Sequence, residues 1–468
     1  MMPASRARLT LWCLSAAVAI AACQNADQEP HGRSDGGNGG RPTESAPKDA
    51  GEAGVSGQAG EPSLITGGED GGTDYIAEAG GEAGAQPGGA AAGEGGADPD
   101  MGRPSVLGPV SSRNYIPNQF AGTQAYMART FHYLRAPGLV ADLKIALPNF
   151  AAGGGSEVLT GGVLTAEVSV EYPVGEARAQ CTFGGSTIGT AGADQPLLWS
   201  DCALATPIPD GALFFVYVSE SNSVRLPYNG PGLGGYPYAG GGDAIEQTNV
   251  DKTSNGTVAD QKIGIGLWPV AIWGLTSART IGVLGDSRQV GVTDLDGDAT
   301  GNLGEVQRAL GQQYAIQNVA ASGEQAAQFL DASAIRRSLL APTTTIIDAL
   351  GINDVGRNGG YGSEWIKAKK AAVRDLFPQD DYWSVTLPPE SDGDFNVVGG
   401  QKPTAGNSVR LELNTWIRAL GGGIYSGFLD PCAVVEEGDT GTWKVPGFTF
   451  DGVHETSAAN TRYSFSLN

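Results

Sequence analysis

The chain has 468 residues, enough for two or three domains, and a formal net charge of −22. So acidic a balance argues against a nucleic-acid partner, whose phosphates would repel it. The five cysteines (Cys13, Cys23, Cys181, Cys202 and Cys432) form no C-x-x-C pair and no Cys/His cluster, so a structural zinc site is not expected.

Arg6 and Arg8 precede an apolar run from Leu9 to Ala22, the pattern of a secretory signal over residues 1–22. The run is short for a membrane span. It ends Ile20-Ala21-Ala22-Cys23, which resembles the bacterial lipobox, where the cysteine is lipidated and becomes the mature N-terminus. By the same resemblance Gln24, standing where Asp would retain the protein at the inner membrane, favours the outer membrane of a Gram-negative cell. The expectation is an exported chain with a membrane partner, anchored through lipid at Cys23.

Residues 23–104 read as a tether. Between Gln24 and Gly102 there are 15 acidic and 3 basic residues, many glycines, and Tyr75 as the sole aromatic. Such a stretch cannot bury enough apolar surface to offset chain entropy and is expected to be disordered. As a flexible coil it would span roughly 50 Å root-mean-square.

From residue 105 to 277 the pattern is short, alternating and rich in β-formers, as in Val163–Tyr172 and Ala212–Val218, with Pro and Gly punctuation at Tyr228–Gly232. This predicts an all-β sandwich or jelly-roll-like domain. In an oxidising compartment Cys181 and Cys202 either pair as a disulfide or, if too far apart, are buried small residues. Tyr228, Tyr236, Tyr238, Trp268 and Trp273 form either a sugar-stacking face or core. His132, in Phe131-His132-Tyr133, reads as a packed core histidine.

Residues 278–468 alternate strands and helices. Strands are predicted at Thr280–Leu284, Ala315–Ala320, Thr344–Leu350, Trp383–Leu387 and near Ile424–Leu429. Helices are predicted at Leu303–Gln312, Gln325–Leu340, Ser363–Leu376 and Ser408–Leu420. The fold class is α/β, a parallel sheet flanked by helices in three flavodoxin-like layers. In such sheets sites form beyond the carboxyl ends of the strands.

Gly285-Asp286-Ser287 stands at one such end, where a turn would lift a serine hydroxyl out of the core. Of three histidines, His31 lies in the tether and His132 in the β-rich region, which leaves His454, in Asp451-Gly452-Val453-His454, as base. Asp451 is placed to orient it. Gly323, after the second strand, offers a backbone N–H, and Asn353, after the third, a side-chain amide; each would otherwise be an ordinary turn glycine or cap.

Gly-Asp-Ser, a glycine after strand two, Gly351-Ile352-Asn353-Asp354 after strand three and Asp-x-x-His near the C-terminus, in that order, resemble the SGNH (GDSL-type) hydrolase family. The resemblance covers about Ala278–Asn468. It implies Ser287 as nucleophile, His454 as general base then acid, Asp451 as its orienting acid, and an oxyanion hole from Gly323, Asn353 and the Ser287 backbone. It also implies metal-free hydrolysis of carboxylic esters, including O-acetyl groups on polysaccharides, lipids and thioesters. Some carbohydrate esterases of the family are similar in placing a jelly roll before the catalytic domain.

Arg288 departs from the family pattern, where a small or apolar residue often follows the serine. It either lines the pocket, favouring an anionic substrate, or pairs with Asp286 or another carboxylate. Asp294, Asp296, Asp298, Thr300, Asn302 and Glu305 match a calcium-loop spacing, but Ala299 stands where the turn requires glycine. An acidic loop leading into a helix is the plainer reading. The functional expectation is an exported serine esterase acting on carbohydrate O-acetyl esters. The alternatives are a lipase or thioesterase of the same family, and a non-catalytic glycan-binding surface lipoprotein.

Overall fold

The computed structural model describes residues 103–230, 242–261, 263–356, 360–377, 381–397 and 399–467. The signal, Cys23, the tether, Tyr236 and Tyr238 lie outside them. All the described residues belong to one compact unit.

The first part of that unit is built on two large antiparallel sheets, beside the short pairs Gln119–Ala121 with Leu226–Tyr228 and Phe150–Ala151 with Val158–Leu159. One has the strand order Val106–Pro109, Ala271–Thr276, Leu139–Pro148, Leu197–Pro209. The other runs Ala244–Gln247, Tyr126–Tyr133, Leu213–Asn222, Leu164–Glu171, Ala179–Gln180, with Gly189–Ala191 also on Leu164–Glu171. Strand periodicity of two decides which core each side chain joins. In Leu213–Asn222, Phe214, Val216 and Val218 enter the core between the sheets, while Phe215 and Tyr217 join Met127 and Phe131 on the other face. Leu143, Ile145 and Leu147 point into the same inter-sheet core from the facing sheet. A disulfide joins Cys181 and Cys202, whose Cα atoms are 4.2 Å apart.

The second part is a five-stranded parallel sheet in the order Ala315–Asn318, Thr280–Leu284, Thr345–Asp348, Asp381–Val385, Gly427–Leu429. The first three of these are buried at every position, as strands covered on both faces must be. Ile281 and Val283 face a cluster with Val306, Leu310 and Ile347; Leu284 faces the opposite one with Phe329, Leu340 and Ile346. From the first strand the chain moves outward to the edge, then crosses back to the third. That reversal opens a crevice at the carboxyl end of Thr280–Leu284.

The expected strands and helices are present, Thr280–Leu284 at its expected bounds and the others with ends moved by up to three residues. One differs in kind: the span expected as a single helix over Gln325–Leu340 is two, Ala326–Ala332 and Ala334–Leu340. The break is at Ser333, whose hydroxyl bonds back to the Phe329 carbonyl. The second helix is capped from far away: the Glu157 carboxylate accepts the N–H groups of Ile335 (2.9 Å) and Arg336 (2.7 Å).

Hydrophobic packing crosses residue 277 without a seam. Ala146, Val270 and Ala271 of the first part share a cluster with Val319, Phe329, Leu340 and Ile346 of the second. The outer edge of Ala315–Asn318 is also covered. Ile316 N–H donates to Ser111 O (3.2 Å), Asn114 Nδ2 to Ile316 O (2.6 Å), and Asn318 N–H to Asn114 Oδ1 (2.9 Å). A polar segment thus occupies backbone groups that an open edge would offer to another chain.

Candidate active site

Strand Thr280–Leu284 ends in Gly285, where a Cβ would press on the Gln289 side chain at 2.5 Å. Asp286 then caps the short helix Ser287–Val290, its carboxylate accepting Arg288 N–H at 3.0 Å. Neighbouring strand ends clasp the turn: Ala321 N–H donates to Gly285 O (3.1 Å) and Ala349 N–H to Leu284 O (2.9 Å). Ser287 is therefore held at the crevice by three adjacent strands.

The histidine arrives on a separate tight turn. Gly452 has φ +79°, and a Cβ there would collide with Ser391 O and the Phe395 ring, so the position requires glycine. Thr449 Oγ1 accepts Gly452 N–H at 2.9 Å. The turn lets Asp451 Oδ1 accept the N–H groups of Val453 and His454, both at 2.8 Å. Thr293 Oγ1 donates to Glu455 O (2.7 Å) and fastens this turn to the segment following Ser287.

His454 Nε2 lies 2.7 Å from Ser287 Oγ, and Nδ1 lies 2.6 Å from Asp451 Oδ2. Burial by itself would raise the Asp451 pKa, but His454 and the two backbone N–H groups outweigh it and hold the carboxyl well below its usual range. For His454, burial works against the charged form, yet Asp451 outweighs that and raises the imidazole pKa. With Asp451 ionised, the proton on Nδ1 is directed to it and Nε2 is left to accept from the serine hydroxyl. Ser287 and His454 are only 6% and 8% exposed, so the chemistry available here is proton transfer and nucleophilic attack in a nearly dry setting.

The two expected donor loops meet beside this turn. Asn353 Nδ2 donates to Glu324 O (3.2 Å), and Gln325 Nε2 donates back to Asn353 O (3.1 Å). Gly323, with φ +79°, directly precedes Glu324. Burial pushes the acids around them upward: Asp286 to about 6, Glu324 to about 7 despite Arg336, and Asp354 to about 7. Asp286 Oδ2 and Asp354 Oδ1 are buried without a hydrogen-bond partner.

Arg288 corrects the expectation of a substrate contact. Its side chain is 2% exposed, ion-paired with Glu455 at 3.4 Å and bonded to Pro389 O at 3.1 Å, with Trp443 beneath it. The second alternative, pairing with another carboxylate, describes it. Glu305, beside Glu455, is pushed well up by burial and by that neighbouring carboxylate. Sequence reasoning missed Glu455, which directly follows His454, and Thr449, two residues before Asp451.

The acidic loop closes on itself. Asp298 Oδ1 accepts from Thr300 N, Thr300 Oγ1 and Asn302 N, while Asp294 pairs with Arg308 and accepts Gly304 N–H. Among the described residues no group of three or more His, Cys, Asp or Glu side chains could hold a metal ion. His132 is fully buried, stacked on Phe214 and bonded to Thr130 Oγ1. The described aromatics are packed: Trp268 is buried against Tyr115, Trp273 lies on Trp199 and donates to Gln317, and Tyr228 bonds Gln119. Cys432 is buried and free, its thiol pushed up by burial.

No protein-family model matches the chain, and no curated protein does. Solved structures are similar to part of it. A GDSL-like lipase from Bacteroides thetaiotaomicron is 18% identical over 39% of this chain and 82% of its own, with a TM-score of 0.29. Est24, a carbohydrate acetylesterase from Sinorhizobium meliloti, is 17% identical over 40% and 94%, with a TM-score of 0.29. An aryl esterase from M. smegmatis is 18% identical over 40% and 94%, again with a TM-score of 0.29. At such values no activity passes from those proteins to this chain.

Proposed function

We propose that this protein is a serine esterase of the SGNH type, hydrolysing carboxylic esters through an acyl-enzyme. The observation that carries the proposal is the continuous line Ser287 Oγ, His454 and Asp451, with contacts of 2.7 and 2.6 Å. His454 Nε2 takes the hydroxyl proton as Ser287 Oγ attacks the ester carbonyl carbon. Asp451 stabilises the imidazolium that forms, and the imidazolium then protonates the departing alcohol. A water deprotonated by His454 attacks the acyl-enzyme, and collapse returns the proton to Ser287 as the acid leaves.

The tetrahedral oxyanion is assigned to Gly323 N–H, Ser287 N–H and Asn353. An amide NH₂ has two N–H bonds, and with one fixed by Glu324 O the other is left for the substrate. Each such donor is typically worth about 10²–10³ in rate.

We infer a short acyl group, acetyl on a carbohydrate alcohol, because the near-burial of Ser287 supports a small acyl pocket. One observation favours a lipase or thioesterase instead: Phe450, next to Asp451, is 65% exposed and could receive an apolar chain. A series of p-nitrophenyl esters from acetate to palmitate separates the two. Rates falling steeply beyond butyrate support the deacetylase, and a preference for long chains refutes it. Labelling with a fluorophosphonate, located by mass spectrometry, tests the nucleophile: modification anywhere but Ser287 defeats the assignment. The lipid anchor at Cys23 and export to the outer membrane are also proposed. They are tested by incorporation of labelled palmitate in cells, which Cys23→Ala must abolish.

A further inference from the structure

Arg336 is fully buried and reaches both parts of the compact unit. Its guanidinium forks onto Glu324, with Nη1 to Oε2 at 2.7 Å and Nη2 to Oε1 at 2.6 Å. Nη1 also donates to Val319 O at 3.1 Å, in the run from the second strand toward Gly323. On the other side, Nη2 donates to Gly155 O (2.9 Å) and Nε to Glu157 Oε1 (3.3 Å), both in the antiparallel part. Glu324 in turn follows Gly323 and accepts Asn353 Nδ2 on its backbone oxygen. A single planar cation thus joins the antiparallel part, the Gly323 loop and the Asn353 loop.

We propose that Arg336 is a positioning residue for the oxyanion donors, and that Gly155 and Glu157 make the antiparallel part a component of the catalytic frame. This rests on the esterase reading. A ridge of small residues supports the same contact: Gly154 Cα lies 3.8 Å from where a Gly323 Cβ would stand, and a Gly155 Cβ would press on Glu324 Cα at 3.1 Å. A rigid fork suits the task because lysine, a point charge, cannot hold the two Glu324 oxygens and three other acceptors in one plane. Donors displaced by about 1 Å lose transition-state stabilisation while substrate binding is barely altered.

The test compares wild type, Arg336→Lys and Glu157→Gln on p-nitrophenyl acetate, with active sites counted by fluorophosphonate titration. Phenylboronic acid, which forms a tetrahedral adduct on serine, serves as the transition-state mimic. Arg336→Lys is expected to lower kcat about 10–100-fold with KM within about 3-fold, and to raise the phenylboronic acid Ki in proportion to the loss of kcat/KM. The pH midpoint of kcat/KM, set by His454, stays where it is. Glu157→Gln, which keeps an acceptor for the helix N-terminus, shows the same pattern at about 3–10-fold. A wild-type kcat per titrated site, or a loss confined to KM, in either variant overturns the proposal. If Arg336→Lys does not fold, Glu157→Gln decides by the same criteria. Ser287→Ala as active as wild type would instead refute the esterase reading, and the positioning role with it.

Discussion

Arg288 and Glu455, the residues that directly follow Ser287 and His454 in sequence, form a buried ion pair 3.4 Å apart with both side chains 2% exposed. Ser287 and His454 are thereby locked to one another through the residues that follow them. Removing one partner leaves the other charged in a dry site. Arg288→Met is therefore expected to destabilise the fold by about 3–5 kcal/mol in urea unfolding. It should leave the preference between anionic and neutral esters unchanged; a reversed preference would put Arg288 in the substrate pocket after all.

Gly452 makes a second, sharper case. Its left-handed backbone and the absence of space beside Ser391 O leave no room for a methyl group. Gly452→Ala should cost about 1–3 kcal/mol in thermal unfolding and lower kcat about 100-fold or more, because the turn carries both Asp451 and His454. Wild-type kcat with only a lowered melting temperature would separate the turn from the chemistry.

The pH behaviour follows from the His454–Asp451 pair. The imidazole pKa is raised and the proposed mechanism needs the neutral base, so the acid limb of kcat/KM is expected to have its midpoint above the ordinary histidine value of about 6.5. The stability contributed by a raised histidine is full below its unfolded pKa and lost as pH rises through the folded one. Asp451, held low, contributes above its unfolded pKa and keeps doing so until pH falls through its depressed folded value. Asp451→Asn should shift the acid limb downward and lower the melting temperature more at pH 5.5 than at pH 8.5. A limb that does not move would mean that Asp451 does not set the base.

Covering of the sheet edge predicts the outcome of truncation. A fragment of residues 278–468 loses Ser111 and Asn114 from the edge strand, Glu157 from the helix cap and Val270 from the shared core. It should be aggregated or unfolded in size-exclusion chromatography and circular dichroism, whereas the fragment from residue 103 is a folded monomer or defined oligomer. A folded, active 278–468 fragment would contradict the shared core.

Much of the site was legible because its chemistry is local. Five consecutive apolar or small residues, Thr280–Leu284, mark a strand buried on both faces, and the polar Asp286–Ser287 pair can only be where that strand ends. Asp451 and His454 are three residues apart, so their pairing is written in one turn. Several unread features have distant partners. Ser333 ends a helix in a run with unbroken helical pattern, and the carboxylate that caps the next helix is Glu157. Arg288 stayed open between pocket lining and ion pairing because its partner Glu455 lies 167 positions away. Ser111–Asn114 carries no strand signal, since polar side chains as well as backbone groups cover the edge.

Hydrolysis of p-nitrophenyl acetate by wild type and by Ser287→Ala, measured as kcat/KM on matched folded protein, tests the central claim most directly. Loss of about 10⁴-fold or more in the variant, with an unchanged melting transition, is the predicted result. Equal rates in the two proteins would contradict the account.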